Sequence, residues 1–407
     1  MDNRVYWIWL SLCFSYGSGK PQQLVESEDA ASIYERRETI CQSVDYLTSR
    51  DGEKLRKISL ERAALILERC EKLNIRVVSL NDPEYPEKLR HMYGAPLVLY
   101  VQGDISYLND APKITVVGTR KASDYGKNIT GNLSYQLALA GEVIISGCAE
   151  GIDEYAHRGA LKAGGKTVGV LGCGHDINYP TKTRKLKQEI LRRGGALIGE
   201  LPPGTSINRR YFPVRNRIMA GLSDGVVVTE SPVISGSLIT ARLANDLNRD
   251  VFCVPPYNIY DKKYIGVIPL LREGAKAVFD VTDILEEYMT RYEGRLDVER
   301  IAKSVIRSSD EGEKNQRKAA DKISYGAVKK IVGKEPDVLR EKPSIPANLT
   351  DRQKKLYEVL TFEPVHVDDL THKIGWACYE VLSVLTELEL LELVTAYSGR
   401  RYSLAEK

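Results

Sequence analysis

Apolar residues recur at helical spacing from the start of the chain to about residue 110. Intervals of three and four positions separate them in the segment that holds Leu60, Ala63, Ala64, Leu67 and Cys70. This spacing puts apolar side chains on one face of a helix, so we predict a helical module over residues 1–75. The apolar run Val5–Phe14 loosely resembles the core of a signal peptide, but it is too short to span a bilayer. We interpret it as a core helix of this module.

Short apolar runs then alternate with segments long enough to form crossover helices. The runs are Ile114–Gly118, Val143–Gly147, Thr167–Gly172, Ala196–Glu200, Val226–Glu230, Val251–Pro255 and Ala277–Asp280. Each is rich in β-branched residues and almost free of polar ones, as is typical of strands in a parallel sheet that is buried on both faces. We therefore predict an α/β domain over residues 76–288 with a doubly wound sheet.

The pattern changes twice more towards the C-terminus. Residues 289–347 mix charges and hold few large apolar side chains, which predicts a flexible charged linker. Periodicity returns in residues 348–407, with three helical segments followed by two strand-like segments around the turn Ser398–Arg401. Three helices and a two-stranded wing predict a winged-helix domain.

Composition restricts the class of partner and the compartment. The chain has 407 residues and a net charge of +3, so binding to a polyanion would have to come from local clusters of arginine and lysine. Seven scattered cysteines, with no C-x-x-C pair, argue against a zinc site and a disulfide framework. We expect a cytoplasmic protein with no metal, no cofactor and no membrane association.

Glycine and hydroxyl residues collect where the predicted parallel strands end. These turns are Gly118–Ser123, Ser146–Asp153, Gly172–Pro180 and Thr229–Ser237. The carboxyl ends of parallel strands meet at one edge of a sheet, where helix N-termini present unpaired N–H groups. The turns predict a phosphate site there, although small residues in such turns also serve close packing and capping alone. The candidate phosphate ligands are Ser146, Gly147, Ser235, Gly236 and Ser237.

A cluster of basic residues indicates a ligand with several phosphates instead of one. Residues Ile207–Arg217 hold four arginines within nine residues, and no acid occurs from Leu201 to Ser223. Guanidinium groups pair with successive phosphates and an aromatic ring stacks on an unpaired base, which is how single strands are held without reading sequence. A solvated basic surface is the alternative. The candidates from this cluster and from the first turn are Arg120, Lys121, Phe212, Arg215, Asn216 and Arg217.

The sequence gives weaker support to the hypothesis that the protein is an enzyme. Ala160–Thr167 satisfies a relaxed Walker A pattern, but there a helix precedes the loop and a strand follows it, the reverse of a P-loop. The first turn lacks the glycines of a dinucleotide fingerprint. His157 lies four residues after Asp153 on a predicted helix, and we expect the two to form a structural hydrogen bond rather than an acid–base pair.

Five motifs together resemble the DNA-processing protein A (DprA/Smf) family. They are VVGTRKASDYG, IISGCAEGIDEYAHRGAL, GVLGCGHDINYP, FPVRNRIMAGLSDGVVVTE and SGSLITARLA. The resemblance spans roughly residues 75–285. It implies an extended Rossmann-like domain that binds single-stranded DNA and a SAM-like or HhH-like N-terminal module. It also implies a homodimer that delivers the DNA strand to the RecA recombinase in natural transformation and homologous recombination, without known enzymatic turnover. By position, the resemblance implies contacts with the DNA strand at nine residues, which are Arg120, Ser146, Gly147, Arg215, Asn216, Arg217, Ser235, Gly236 and Ser237.

The chain departs from the family pattern in several places. Glu150 stands where the family usually has a basic residue, and the segment Pro255–Leu271 lacks the usual Pro-Gly and glycine-asparagine elements. The helix Ala377–Leu390 carries glutamates and no lysine or arginine, so we expect the winged helix to contact protein or modulate the α/β domain. Its candidates for nucleic-acid contact are Arg400 and Arg401. The alternative function is a nucleoside monophosphate hydrolase-like enzyme, which the glycine-poor turn at Ser235 disfavours.

Overall fold

The computed structural model describes residues 2–301, 346, 349–397 and 400–405. Contacts between residues divide the chain into two compact units. The first consists of the residues up to Val281 together with Arg295–Ile301, and the second of Thr282–Gly294 together with the described residues after Ile301. The predicted linker falls largely on residues 302–345, which lie outside the described residues.

The first unit begins with short helices. They are α1 Asn3–Cys13, α2 Lys20–Ser27, α3 Ala30–Glu35, α4 Ile40–Ser43, α5 Ser49–Lys57 and α6 Leu60–Lys72. Helix α1 is capped by the Asp2 side chain, which accepts a hydrogen bond from the Arg4 amide. Its Trp9 is fully buried and donates from Nε1 to the Ile58 carbonyl at 2.9 Å. The interpretation of Val5–Phe14 as a core helix is confirmed.

A nine-stranded sheet forms the centre of this unit. Its strands are β1 Arg76–Ser79, β2 Val98–Gly103, β3 Lys113–Val117, β4 Val143–Ser146, β5 Thr167–Val170, β6 Ala196–Gly199, β7 Gly225–Val228, β8 Asp250–Cys253 and β9 Lys276–Ala277. The helices between and after them are α7 Glu87–Arg90, α8 Asp124–Leu139, α9 Ile152–Lys162, α10 Arg184–Arg192, α11 Tyr211–Leu222, α12 Gly236–Asp246 and α13 Val267–Arg272. Every predicted apolar run overlaps a strand.

The order of the strands defines a switch point. Neighbouring strands follow the order β1-β2-β6-β5-β4-β3-β7-β8-β9, and the pairs from β6 to β9 are all parallel. The chain builds outward from β3 through β4, β5 and β6, then returns to place β7 on the other side of β3. Ligands of open α/β sheets bind at such a reversal, beyond the carboxyl ends of the strands. Here that place lies between the turns that follow β3 and β7.

Strands β1 and β2 correct the prediction that residues up to about 110 are helical. They pair antiparallel with each other, and β2 pairs antiparallel with β6 at the edge of the sheet. Val98, Leu99, Tyr100 and Val101 are all buried, so β2 shows no alternation of apolar and polar residues. A short continuous apolar run does not distinguish strand from buried helix, which is why the sequence pattern missed it.

The second unit is a winged helix, as predicted. Its elements are α14 Thr282–Leu285, α15 Asp351–Val359, β10 Val365–His366, α16 Val367–Ile374, α17 Cys378–Leu390, β11 Val394–Tyr397 and β12 Arg401–Leu404. The strands form an antiparallel sheet in the order β10-β12-β11. The core of this unit includes Leu356, Leu370 and Leu385, which are completely buried. The predicted turn is described only at Arg400 and Arg401, because Ser398 and Gly399 lie outside the described residues.

Candidate nucleic-acid interface

Helix α11 lies against the turns at the carboxyl ends of several strands, an edge that we call the rim. Its first residues contact the turns after β3 and β5. The Arg120 guanidinium lies over the Phe212 ring, 5.5 Å from the centroid, and a Cβ at Gly172 would be 2.8 Å from the same ring. The Tyr179 ring packs on Phe212 with centroids 5.8 Å apart. Phe212 is half-buried, and it supports an exposed arginine.

Arg215 connects α11 to strands β4 and β5 from inside the protein. It is 7% exposed, and its Nη1 donates to the Gly147 carbonyl at 2.8 Å and to the Val170 carbonyl. A Cβ at Gly147 would lie 2.3 Å from this nitrogen, so only glycine leaves room for the guanidinium. Burial lowers the pKa of Arg215, and the nearby Asp153 carboxylate opposes that shift. The positive charge of Arg215 therefore lies beneath the turn after β4.

Ser146 also faces inward. Its side chain is completely buried, and Oγ donates to the Val116 carbonyl of β3 at 2.7 Å. This bond ties the ends of β3 and β4 together. In the structure the Ser146 hydroxyl stabilises the sheet. Contact between Ser146 and a DNA strand stays a prediction from the resemblance.

Asn216 and the serine turn form the next contact of α11. Asn216 Nδ2 donates to the Gly236 carbonyl at 3.1 Å. Ser235 caps α12, and its Oγ lies 2.8 Å from Ser237 Oγ, which donates to Ser231 Oγ at 2.9 Å. Gly236 is exposed, and apart from its chain neighbours and the backbone of its own helix, no atom of the described residues lies within 4 Å of the position that its Cβ would take. The backbone at Gly236 is thus open to a ligand, while the hydroxyls bond to one another.

Arg217 makes an internal ion pair. Its Nη2 lies 2.5 Å from both carboxylate oxygens of Glu200, which follows β6, and the two side chains are 11% and 10% exposed. Burial raises the pKa of Glu200, and the Arg217 charge opposes the shift. Glu200 closes the predicted run Ala196–Glu200, but its role was not recognised in the sequence. Contact between Arg217 and phosphate stays a prediction.

A second unrecognised acid lies at the switch point. Glu230, which follows β7, accepts hydrogen bonds from the Ser123 amide at 2.8 Å and from the Ser123 hydroxyl at 2.6 Å. It is 3% exposed, and its carboxylate lies where a side chain at Gly126 would point. The N-terminus of α8, where a Rossmann-type nucleotide phosphate would bind, is therefore occupied by a carboxylate of the protein itself.

Several cations remain exposed at the rim. They are Arg120, Lys121, Arg184, Lys185, Arg209 and Arg210. In the part of the chain that the structure describes, none of these six groups lies within ion-pair distance of an acid. Glu150 is different, because its Oε2 lies 2.9 Å from Lys182 Nζ. The departure from the family pattern is thus compensated by Lys182, which lies just beyond the turn after β5.

The predicted hydrogen bond between Asp153 and His157 is wrong. His157 Nδ1 lies 2.7 Å from Thr167 Oγ1, and its Nε2 lies 3.5 Å from Cys148 Sγ. Asp153 instead accepts from the Ala149 amide at 3.2 Å. Burial lowers the pKa of His157 to about 3, so the ring is neutral at physiological pH. It can neither attract phosphate nor act as a general acid there.

Comparison with known proteins identifies the family. Residues 76–289 match the family described as DNA recombination-mediator protein A. The chain belongs to this family. Residues 340–400 match the DprA winged helix domain as well, in agreement with the second unit of the structure. Among the described residues, no helix has both the length and the apolar composition needed to cross a membrane.

Three relatives in this family show the extent of the likeness. DNA processing protein DprA of Bacillus subtilis is 39% identical over 217 residues, which cover 53% of this chain and 72% of the relative. Protein Smf of Synechocystis is 33% identical over 347 residues, or 83% and 82% of the two chains. The X-ray structure of DNA processing protein A from Streptococcus pneumoniae superposes with a TM-score of 0.60 at 31% identity, covering 70% of this chain and 98% of that one.

Proposed function

We propose that the rim binds single-stranded DNA without reading its sequence and that the protein delivers the strand to a RecA-type recombinase. The observation that carries this proposal is the arrangement around α11, which contacts turns from five strands, while Arg120, Arg209 and Arg210 are exposed and have no acid within ion-pair distance among the described residues. A row of guanidinium groups suits successive phosphates, whereas a mononucleotide offers too few charges for them. The names of the family and of its relatives, which refer to DNA processing and recombination, support the same class of ligand.

The site residues have four different roles in this proposal. The exposed groups, Arg120, Lys121, Arg209, Arg210 and the Gly236 backbone, contact phosphates directly. Arg215, Asn216 and Arg217 are positioning residues, because their side-chain bonds go to carbonyls and to Glu200. Ser146, Gly147, Ser235 and Ser237 shape the turns, and Phe212 holds the Arg120 guanidinium in place.

The remaining parts of the proposal extend the family resemblance to this chain. We infer a homodimer in the cytoplasm that acts without a cofactor and without chemical turnover. An enzyme that cleaves nucleoside monophosphates is the less favoured alternative. Glu230 already accepts the bonds of Ser123 at the N-terminus of α8, so a nucleotide phosphate there would meet a carboxylate.

Binding of a labelled oligonucleotide over a range of salt concentrations tests the proposal. The logarithm of the binding constant should fall linearly with the logarithm of the salt concentration, with a slope of about −0.7 for each neutralised phosphate of a single strand. Oligonucleotides of different sequence should bind alike. Weak binding with a slope near that of one phosphate, together with release of free base from a nucleoside monophosphate, would favour the enzyme instead.

Glu150→Gln is expected to strengthen DNA binding by about threefold at low salt, an effect that salt screens. The change removes the negative charge that holds Lys182, whose side chain is 77% exposed and becomes available to phosphate. Filter binding at low and high salt measures the difference. Glu53→Gln is the matched control, because Glu53 also pairs with an exposed lysine but lies on α5 in the N-terminal helices. Equal affinities of wild type and Glu150→Gln would place the DNA path away from Lys182.

A further inference from the structure

A cleft lined by aromatic rings lies beside the rim, on the far side of the switch point from Phe212. Its lining residues are Ser123, Tyr125, Tyr257, Asn258, Asp261 and Tyr264, and we call it the tyrosine cleft. Its volume is about 440 Å³, within the usual range for small-ligand sites of about 300–1,000 Å³. Neither the proposed phosphate contacts nor the positioning residues account for it.

Two tyrosines give the cleft an exposed stacking surface. The rings of Tyr125 and Tyr257 lie 5.6 Å apart at an interplanar angle of 41°, and the Tyr125 hydroxyl donates to the Pro255 carbonyl at 3.3 Å. Tyr257 is 75% exposed. A large aromatic ring left this open in a folded protein forgoes the free energy of burial, which a flat aromatic ligand would recover.

The charges around the cleft indicate which part of a nucleic acid would enter it. The lining carries one acid, Asp261, and no cation, so a phosphate group is disfavoured inside. Exposed cations are instead close to the lining residues along the chain. Lys121 lies two residues before Ser123, and Lys262 and Lys263 follow Asp261 directly. A polyanion can therefore run past the cleft with its phosphates outside and an uncharged group directed inward.

We propose that the tyrosine cleft takes one nucleobase of the bound strand, stacked on Tyr257 and Tyr125. The inference rests on the proposed function and names a further contact beside the phosphate rim. The polar groups of Asn258 and Asp261 border the base, where they can meet its N–H and carbonyl groups. A second, apolar protein surface is a poorer occupant, since it would bury the negative charge of the Asp261 carboxylate.

Tyr257→Ala is expected to weaken binding of a labelled oligothymidine by about tenfold, the effect of losing one stacked base. Tyr257→Phe keeps the ring and should bind like wild type. Tyr379→Ala is the matched control, because Tyr379 is also 75% exposed but lies on α17 of the winged helix, and its loss should leave affinity unchanged. Circular dichroism of each full-length variant checks that it is folded.

An oligonucleotide with abasic residues tests the role of the base without depending on one variant. Wild type should bind it about as weakly as Tyr257→Ala does, and the two proteins should no longer differ. An unchanged affinity of Tyr257→Ala for oligothymidine, or an equal loss on the abasic strand, would overturn the inference. If Tyr257→Ala changes only the sedimentation of the free protein, the cleft is a contact between protein chains, and this result would also overturn the inference. If wild type binds no single strand at all, the proposed function fails first and the inference fails with it.

Discussion

Glu200→Ala is expected to lower the free energy of unfolding by about 3–5 kcal/mol, because it leaves the Arg217 charge buried without its counterion. Both side chains of the pair are about nine-tenths buried, so solvent offers little compensation. Nε and Nη1 of Arg217 have no hydrogen-bond partner among the described residues, which makes the guanidinium depend further on Glu200. Urea denaturation followed by circular dichroism measures the loss.

Two further variants separate this role from DNA binding. Glu53→Ala breaks an exposed ion pair with Lys57 and should lower the free energy of unfolding far less than Glu200→Ala does, because solvent screens the pair. The double variant Glu200→Leu with Arg217→Met replaces the buried pair by apolar side chains and should recover most of the stability. If the double variant is stable but has lost its affinity for single-stranded DNA, Arg217 contacts the strand directly and our assignment of a positioning role is wrong.

The triple variant Arg120→Ala, Arg209→Ala and Arg210→Ala is expected to reduce affinity for single-stranded DNA by about a hundredfold. Each exposed guanidinium contributes about 1 kcal/mol after screening by solvent, and about 1.4 kcal/mol corresponds to a tenfold change. The slope of the salt dependence should become shallower by about 2, since three phosphate contacts of about 0.7 each are lost. Titration of a labelled oligonucleotide at several salt concentrations measures both quantities.

A second triple variant controls for net charge. Arg50 and Arg56 on α5 and Arg272 in the last turn of α13 are exposed, and none of them lies within ion-pair distance of a described acid. Their replacement by alanine removes the same charge from positions outside the rim. It should leave the salt slope unchanged and affinity nearly so. Equal losses in the two triple variants would mean that binding follows the overall charge of the protein and not the rim.

The regular elements were largely predictable from the order of residues. The seven apolar runs overlap the parallel strands, and the winged helix appears where three periodic segments precede two strand-like ones. A strand or helix of this kind needs only its own side chains to fall on the correct face, and that information is local. Strands β1 and β2 were not predicted, because β2 is apolar on both faces and pairs with β6, about a hundred positions later in the chain.

The position of the candidate site in the fold was predictable. Which of its side chains are exposed and which are bonded inside the protein was not predictable. Parallel strands must bring their turns to one edge, so the glycine and serine turns were expected to meet there. The sequence showed four arginines close together and could not distinguish among them. Arg209 and Arg210 are exposed, while Arg215 and Arg217 are turned inward on α11 towards Gly147 and Glu200.

The sequence by itself determined a doubly wound α/β sheet with glycine and serine turns at one edge, and a winged helix. It also contained the motifs by which the chain resembles one protein family. Only the tertiary structure decided which charges face solvent. A guanidinium can be buried only where carbonyls or a carboxylate replace its water, and those of Arg215 and Arg217 come from the ends of β4, β5 and β6. These partners lie between 17 and 68 positions away in the chain, so no local pattern could reveal them.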